Sequence, residues 1–138
     1  MFRDEPIVHV MTREVHTVEL GTPLSTLRRL LAHHPFDHVP VVEGGRLVGM
    51  VSARDLLPIC LHHFVRDEAT ADAHLDASFH LGDVMTADVE TVGVTDTVGR
   101  AAELLAQGRF HAVPVVENSG ALVGIVTSTD LVRAFIQG

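Results

Sequence analysis

The chain has 138 residues, 46% of them hydrophobic, and a formal net charge of −8 at pH 7. That length allows one compact domain or two very small ones, and the acidity excludes a nucleic-acid partner, because a phosphate backbone demands a basic face. No apolar run approaches the ~20 residues needed to span a bilayer, and Met1 to Pro6 is charged and lacks a signal-peptide apolar region, so a cytoplasmic protein is expected.

In chain order, Val10-Met11-Thr12 is followed by a short β-rich stretch, Val15 to Val18. Thr22 reads as an N-cap with Pro23 at the first helical position. Leu24, Leu27, Leu30 and Leu31 then form an apolar stripe at helical spacing. Two apolar runs follow, Val39 to Val42 and Leu47 to Val51, separated by a Glu43-Gly44-Gly45 turn. Continuous rather than alternating hydrophobicity suits strands covered on both faces. A second helix begins at Ser52, and Pro58 inside it should kink or shorten it. The lone Cys60 cannot form an intramolecular disulfide and reads as a small buried hydrophobe.

After residues 64–81, a mixed-charge linker expected to be extended or partly helical, the same order returns. Val84-Met85-Thr86 repeats the opening tripeptide, and Val89 to Val92 repeats the β-rich stretch. Asp96 reads as the next N-cap, Val98 to Leu105 as the helix, and Gly108 as its end. Val113-Pro114-Val115-Val116-Glu117 repeats Val39-Pro40-Val41-Val42-Glu43, and Leu122-Val123-Gly124 repeats Leu47-Val48-Gly49. The chain is therefore an internal duplication of β-α-β-β-α, with repeats over 1–63 and 82–138. The expected fold class is α/β (α+β), with two repeats sharing a core in approximate two-fold symmetry.

Each second apolar run leads into Gly-h-h-[Ser/Thr]-x-x-Asp, where h is apolar: Gly49 to Asp55, and Gly124 to Asp130. The hydroxyl of Ser52 or Thr127 sits where a strand ends and a helix begins. The first N–H groups of that helix lack intrahelical partners, and its positive dipole end favours an anion. Asp55 and Asp130 fall in the first turn, where a carboxylate can accept two hydrogen bonds from a vicinal diol such as ribose. Ser-x-x-Asp is also a capping-box variant that only stabilises helix starts. Duplication of the motif, each time after a Val-rich strand, favours the binding role.

The Met-Thr pairs, the His38-Val39-Pro40-Val41-Val42 strand, the Leu-Val-Gly turn and the Ser/Thr-x-x-Asp together resemble the cystathionine-β-synthase (CBS) domain pattern, in both copies. The resemblance implies a CBS-domain pair, or Bateman module. Such regulatory discs bind adenosine-containing ligands in clefts between the paired repeats. It implies that Asp55 and Asp130 hold ribose hydroxyls with Ser52 and Thr127 as partners. Thr17, Val18, Thr91 and Val92 would frame the base, with Pro40 and Pro114 in the apolar strands. Phosphate candidates are His38 and Arg54 in the first copy, and Arg109 and His111 in the second. Asp37 lies opposite His111 and disfavours a highly charged ligand at the first site. The expected ligands are AMP, ADP, ATP and S-adenosylmethionine, in that order. The resemblance further implies a homodimer built through helix faces and a regulated partner protein of unknown identity.

There is no Gly-x-Ser-x-Gly, Walker loop or His-Glu-x-x-His, so no enzyme, catalytic residue or required cofactor is expected. Ten histidines, among them His33-His34, His62-His63, His74 and His80, raise the alternative of a metal-responsive linker with Asp67, Asp72 and Asp76. Adjacent histidines point in different directions on a helix, and His62, His63, His74 and His80 contain no His-x-x-x-His pair to support it. A second alternative is a structural or dimerisation module that holds no nucleotide.

Overall fold

The Val-rich runs form strands and the leucine stripes form helices, in the expected order. The computed structural model describes residues 2–33, 38–60 and 67–137. Its elements are β1 (Val18–Glu19), α1 (Leu24–His33), β2 (Val39–Glu43), β3 (Arg46–Val51), α2 (Ala53–Cys60), α3 (Glu68–Ser78), α4 (Leu81–Val84), β4 (Val92–Gly93), α5 (Val98–Ala106), β5 (Ala112–Val116), β6 (Leu122–Thr127) and α6 (Ser128–Gln137). Two three-stranded sheets result, ordered β1-β2-β3 and β4-β5-β6. β1 runs parallel to β2 with Val18 opposite Val41, and β4 runs parallel to β5 with Val92 opposite Val115. β6 returns antiparallel to β5. The fold is mixed α/β, as the repeats predicted.

The compact units cut across the repeats. One comprises residues 1–16, 45–47 and 90–138, the other residues 17–44 and 48–89. The first has its core on Ile7, Met11, Val92, Val98, Ala101, Leu104, Val113, Val115 and Val126. Its N-terminal segment is held by the second-copy helix and strand. The Val98 N–H donates to the Glu5 carbonyl at 2.8 Å and the Ile7 N–H to the Asp96 carbonyl at 2.9 Å. Thr12 and Ile125 exchange two backbone bonds of 2.8 and 2.9 Å. Gly124 makes room for this, since a Cβ there would lie 2.6 Å from the Met11 sulfur.

The other unit repeats the device. Met50 and Thr86 exchange backbone bonds of 2.9 and 2.8 Å, and a Cβ on Gly49 would lie 2.7 Å from the Met85 sulfur. Its core is Val18, Leu24, Leu27, Leu31, Val39, Val41, Val51, Leu56, Leu75 and Leu81.

Two local expectations are corrected. The cap of α5 is Thr97, whose hydroxyl accepts the Arg100 N–H, while Asp96 turns back to accept the Gly93 N–H at 2.7 Å. Thr22 does not cap α1, which begins at Leu24. Its free N-terminus is served by Asp76 of α3, which accepts the Ser25 N–H at 2.9 Å and the Ser25 hydroxyl at 2.5 Å. The linker is helical over most of its described length. α3 is capped by Asp67 and pinned to α1 by the buried Asp72, which takes guanidinium N–H bonds from both Arg28 and Arg29. Pro58 lies inside α2, which is described as far as Cys60. His34, Asp37, His62 and His63 fall outside the described residues, as does the Cys60 side chain.

Candidate functional site

Both Ser/Thr-x-x-Asp segments sit at a strand-to-helix junction. In the unit holding the first copy, β3 ends at Val51 and α2 starts at Ala53, with the buried Ser52 between them. The Ser52 N–H and hydroxyl both donate to one oxygen of Asp55, Oδ2, at 2.8 and 3.2 Å. Asp55 is half-buried and Arg54 is exposed. Val18 and Pro40 are buried, His38 is half-buried, and Thr17 is exposed beside β1.

In the unit holding the second copy, Thr127 and Asp130 form a reciprocal box. The Thr127 N–H donates to Asp130 Oδ2 at 3.0 Å, and the Asp130 N–H donates to the Thr127 hydroxyl at 3.0 Å. The Asp130 side chain is only 10% exposed. Two groups that the sequence reading left out of the site reach it. The Thr12 hydroxyl donates to the carboxylate at 3.3 and 3.4 Å, and the Arg133 guanidinium lies 3.6 Å from Oδ1. Thr12 had a signal, because it belongs to the repeated Val-Met-Thr. Arg133 had one in its replacement by Pro58 in the other copy. Val92 and Pro114 are buried and Thr91 is half-buried. His111 is exposed, and its carbonyl accepts the Ser128 N–H at 3.0 Å, which ties β5 to the start of α6. Arg109 is exposed and already engaged: its guanidinium donates to Gln107 at 2.5 Å, lies 3.8 Å from Glu90 and sits 5.8 Å over the Phe110 ring.

Chemically, each junction presents a carboxylate whose Oδ2 accepts the backbone N–H of its own Ser or Thr, at the start of a helix. That arrangement accepts hydroxyl protons and tolerates a nearby anion. The linker carboxylates are spent on other tasks: Asp67 and Asp76 on helix starts, Asp72 on two arginines. No group of three or more His, Cys, Asp or Glu side chains capable of holding a metal occurs among the described residues. Nor is any helix among them long and apolar enough to cross a membrane.

Comparison with known proteins agrees with the duplicated frame. The chain is 32% identical over 130 residues to the inosine-5'-monophosphate dehydrogenase of Thermoplasma acidophilum; the match covers 94% of the chain but only 23% of the dehydrogenase. CBSX2, a CBS-pair protein of Arabidopsis thaliana solved in complex with AMP, shares the fold with a TM-score of 0.78 and 28% identity, over 96% of this chain and 97% of that one. The CBS domain pair of protein MJ0100, in complex with 5'-methylthioadenosine and S-adenosyl-L-methionine, matches with a TM-score of 0.69 and 25% identity, over 94% and 98% of the two chains. The CBS domain profile itself matches twice, over residues 7–61 and 81–137. With both matches falling on the two β-α-β-β-α repeats, the chain belongs to the CBS domain family, as a tandem pair.

Proposed function

We propose that the chain is a regulatory module that senses an adenosine-containing ligand, AMP before ADP, ATP or S-adenosylmethionine, and has no catalytic activity of its own. The observation that carries this reading is the pair of half-buried carboxylates, Asp55 and Asp130, each held by a Ser/Thr at a strand-to-helix junction. Each would accept a ribose diol, and the positive dipole end of its helix would favour a phosphate nearby. The AMP complex of CBSX2 supports an adenosine ligand, as does the S-adenosyl-L-methionine complex of MJ0100. Thr17, Val18, Thr91 and Val92 would frame the base. His38, Arg54 and His111 would face the phosphate, and Arg109 would join them by releasing Glu90. Ligand binding would shift the population of module conformations and so alter the surface offered to a regulated protein.

Thermal unfolding with AMP, ADP, ATP and S-adenosylmethionine tests the reading, because a ligand that binds the folded state raises stability by mass action. A rise in midpoint that grows with ligand concentration supports it. No shift with any of the four, at concentrations up to millimolar, favours the structural alternative.

A further inference from the structure

Resting on that nucleotide reading, we propose that the two ribose acids are unequal and that Thr12 sets the difference: its hydroxyl holds the Asp130 carboxylate, so Asp55 takes the first ligand and Asp130 the second. A carboxylate offers about four lone-pair positions, and a vicinal diol requires two of them. At Asp55 both donors of Ser52 converge on Oδ2, and among the described residues no hydrogen bond reaches Oδ1. Among the described residues, one oxygen is thus open to a diol without a partner to displace.

Asp130 also takes two donor protons, but there neither oxygen is left clear. Oδ2 accepts the Thr127 N–H at 3.0 Å and the Thr12 hydroxyl at 3.3 Å. Oδ1 shares the Thr12 hydroxyl at 3.4 Å and faces Arg133 at 3.6 Å. A diol must displace the hydroxyl or share oxygens with it. Thr12 is a fixed competitor, since its backbone is bonded to Ile125 in both directions. Thr86 has the same backbone bridge to Met50, yet no hydroxyl bond from it to Asp55 occurs among the described residues. The contrast therefore belongs to the side chains around each Asp and not to the shared frame. Arg133 adds to it, because the corresponding position of the first copy is Pro58. The more basic flank of the second copy does not reverse the order, as Arg109 is already engaged by Gln107 and Glu90. The consequence is a module that answers at two ligand concentrations.

The test is calorimetric titration of AMP into the full chain and into Asp55→Asn, Asp130→Asn, Asp55→Asn/Thr12→Val and Asp55→Asn/Thr12→Ser variants, with thermal midpoints as the folding check. We expect Asp130→Asn to retain the tighter event and Asp55→Asn the weaker one. Removing one hydroxyl competitor should tighten the remaining Asp130 site by roughly two- to ten-fold in Asp55→Asn/Thr12→Val. The Ser variant, which keeps the hydroxyl, should match Asp55→Asn. Equal affinities in the two single variants, or a Thr12→Val double variant no tighter than Asp55→Asn, would overturn the inference and leave nucleotide binding intact. A wild-type chain that gives neither heat nor thermal shift with AMP overturns the nucleotide reading itself, and this inference with it.

Discussion

Gly49→Ala should destabilise the chain out of proportion to one methyl group. Gly49 is buried in β3, and an added Cβ would lie 2.9 Å from the Thr86 carbonyl oxygen as well as 2.7 Å from the Met85 sulfur. The thioether can swing away, as methionine adapts readily. The carbonyl cannot, because it accepts the Met50 N–H at 2.9 Å while the Thr86 N–H donates back to Met50 at 2.8 Å. Relieving the overlap means stretching both bonds. At about 1 kcal/mol for each net hydrogen bond, plus about 1 kcal/mol for local overpacking, the loss is about 2–3 kcal/mol. Urea unfolding followed by circular dichroism should show the midpoint falling by about 1–2 M if the slope is near 1.5 kcal/mol/M. Gly21→Ala is the control, since nothing lies within 4 Å of its added Cβ. It should change stability by less than about 0.5 kcal/mol. Adding Met85→Ala to Gly49→Ala should not rescue the loss. A Gly49→Ala variant within about 0.5 kcal/mol of wild type would refute the claim that the Thr86 bridge is rigid, and full rescue by Met85→Ala would put the whole clash on the sulfur.

Asp55→Asn and Asp130→Asn should each weaken AMP at its own site by roughly ten- to a hundred-fold in calorimetry, because an amide presents donors where the diol needs an acceptor. Asp72→Asn keeps the shape but removes the charge facing Arg28 and Arg29. A loss of about 1–3 kcal/mol in urea unfolding is expected, held below a fully buried pair by the exposure of both arginines. The Thr70 N–H and hydroxyl hold the exposed Asp67 carboxyl below its usual value of 3.8, so its small stabilising contribution is present above the unfolded-state value and fades as pH falls through the lower folded one. Acid titration of helicity below pH 4 should therefore show Asp67→Ala losing less than wild type. Val132, Phe135 and Ile136 expose an apolar face on α6, and Leu57 does so on α2. Light scattering at micromolar concentration should give a dimer, and Phe135→Glu/Ile136→Glu should give a monomer; a wild-type monomer would remove the dimer.

The repeat order was legible because it rests on local signals: buried Val runs, leucine stripes, and Gly108, which closes α5 with a φ of 78°. The junction acids were legible for the same reason, because Ser/Thr-x-x-Asp lies within one turn. What escaped depends on partners far along the chain. Asp76 caps α1 from α3, and a helix start with Thr22 and Pro23 beside it offers no hint that its cap comes from elsewhere. Asp72 reads as one more linker acid until α3 lies on α1. Asp96 and Thr97 are both good caps, and the Gly93 N–H decided between them by claiming the carboxylate. Arg109 reads as a free cation until Glu90 and Gln107 come into reach. The seat of Met11-Thr12 on β6 is likewise non-local, which is why Thr12 was recognised as part of the repeat and not as part of the site.

Duplication gives both copies the same frame, so differences between them must come from individual residues near the shared Asp. The hydroxyls themselves differ in kind. Threonine is β-branched and stiff at χ1, whereas serine rotates freely. Thr127 keeps its oxygen on the Asp130 N–H, as a true cap, and contributes no side-chain proton to the carboxylate. Ser52 instead turns its proton onto Asp55 Oδ2. The Asp130 carboxylate is left to collect partners from elsewhere, and Thr12 and Arg133 supply them. The Asp55 carboxylate is thus held by both donors of Ser52, whereas Asp130 takes only the backbone N–H of Thr127 and adds Thr12 and Arg133. Thr127→Ser would then free the capping hydroxyl to turn toward Asp130, which should loosen the hold of Thr12 and bring the second site closer to the first. A duplicated frame can be tuned to two ligand affinities in this way without altering the strands or helices that build it.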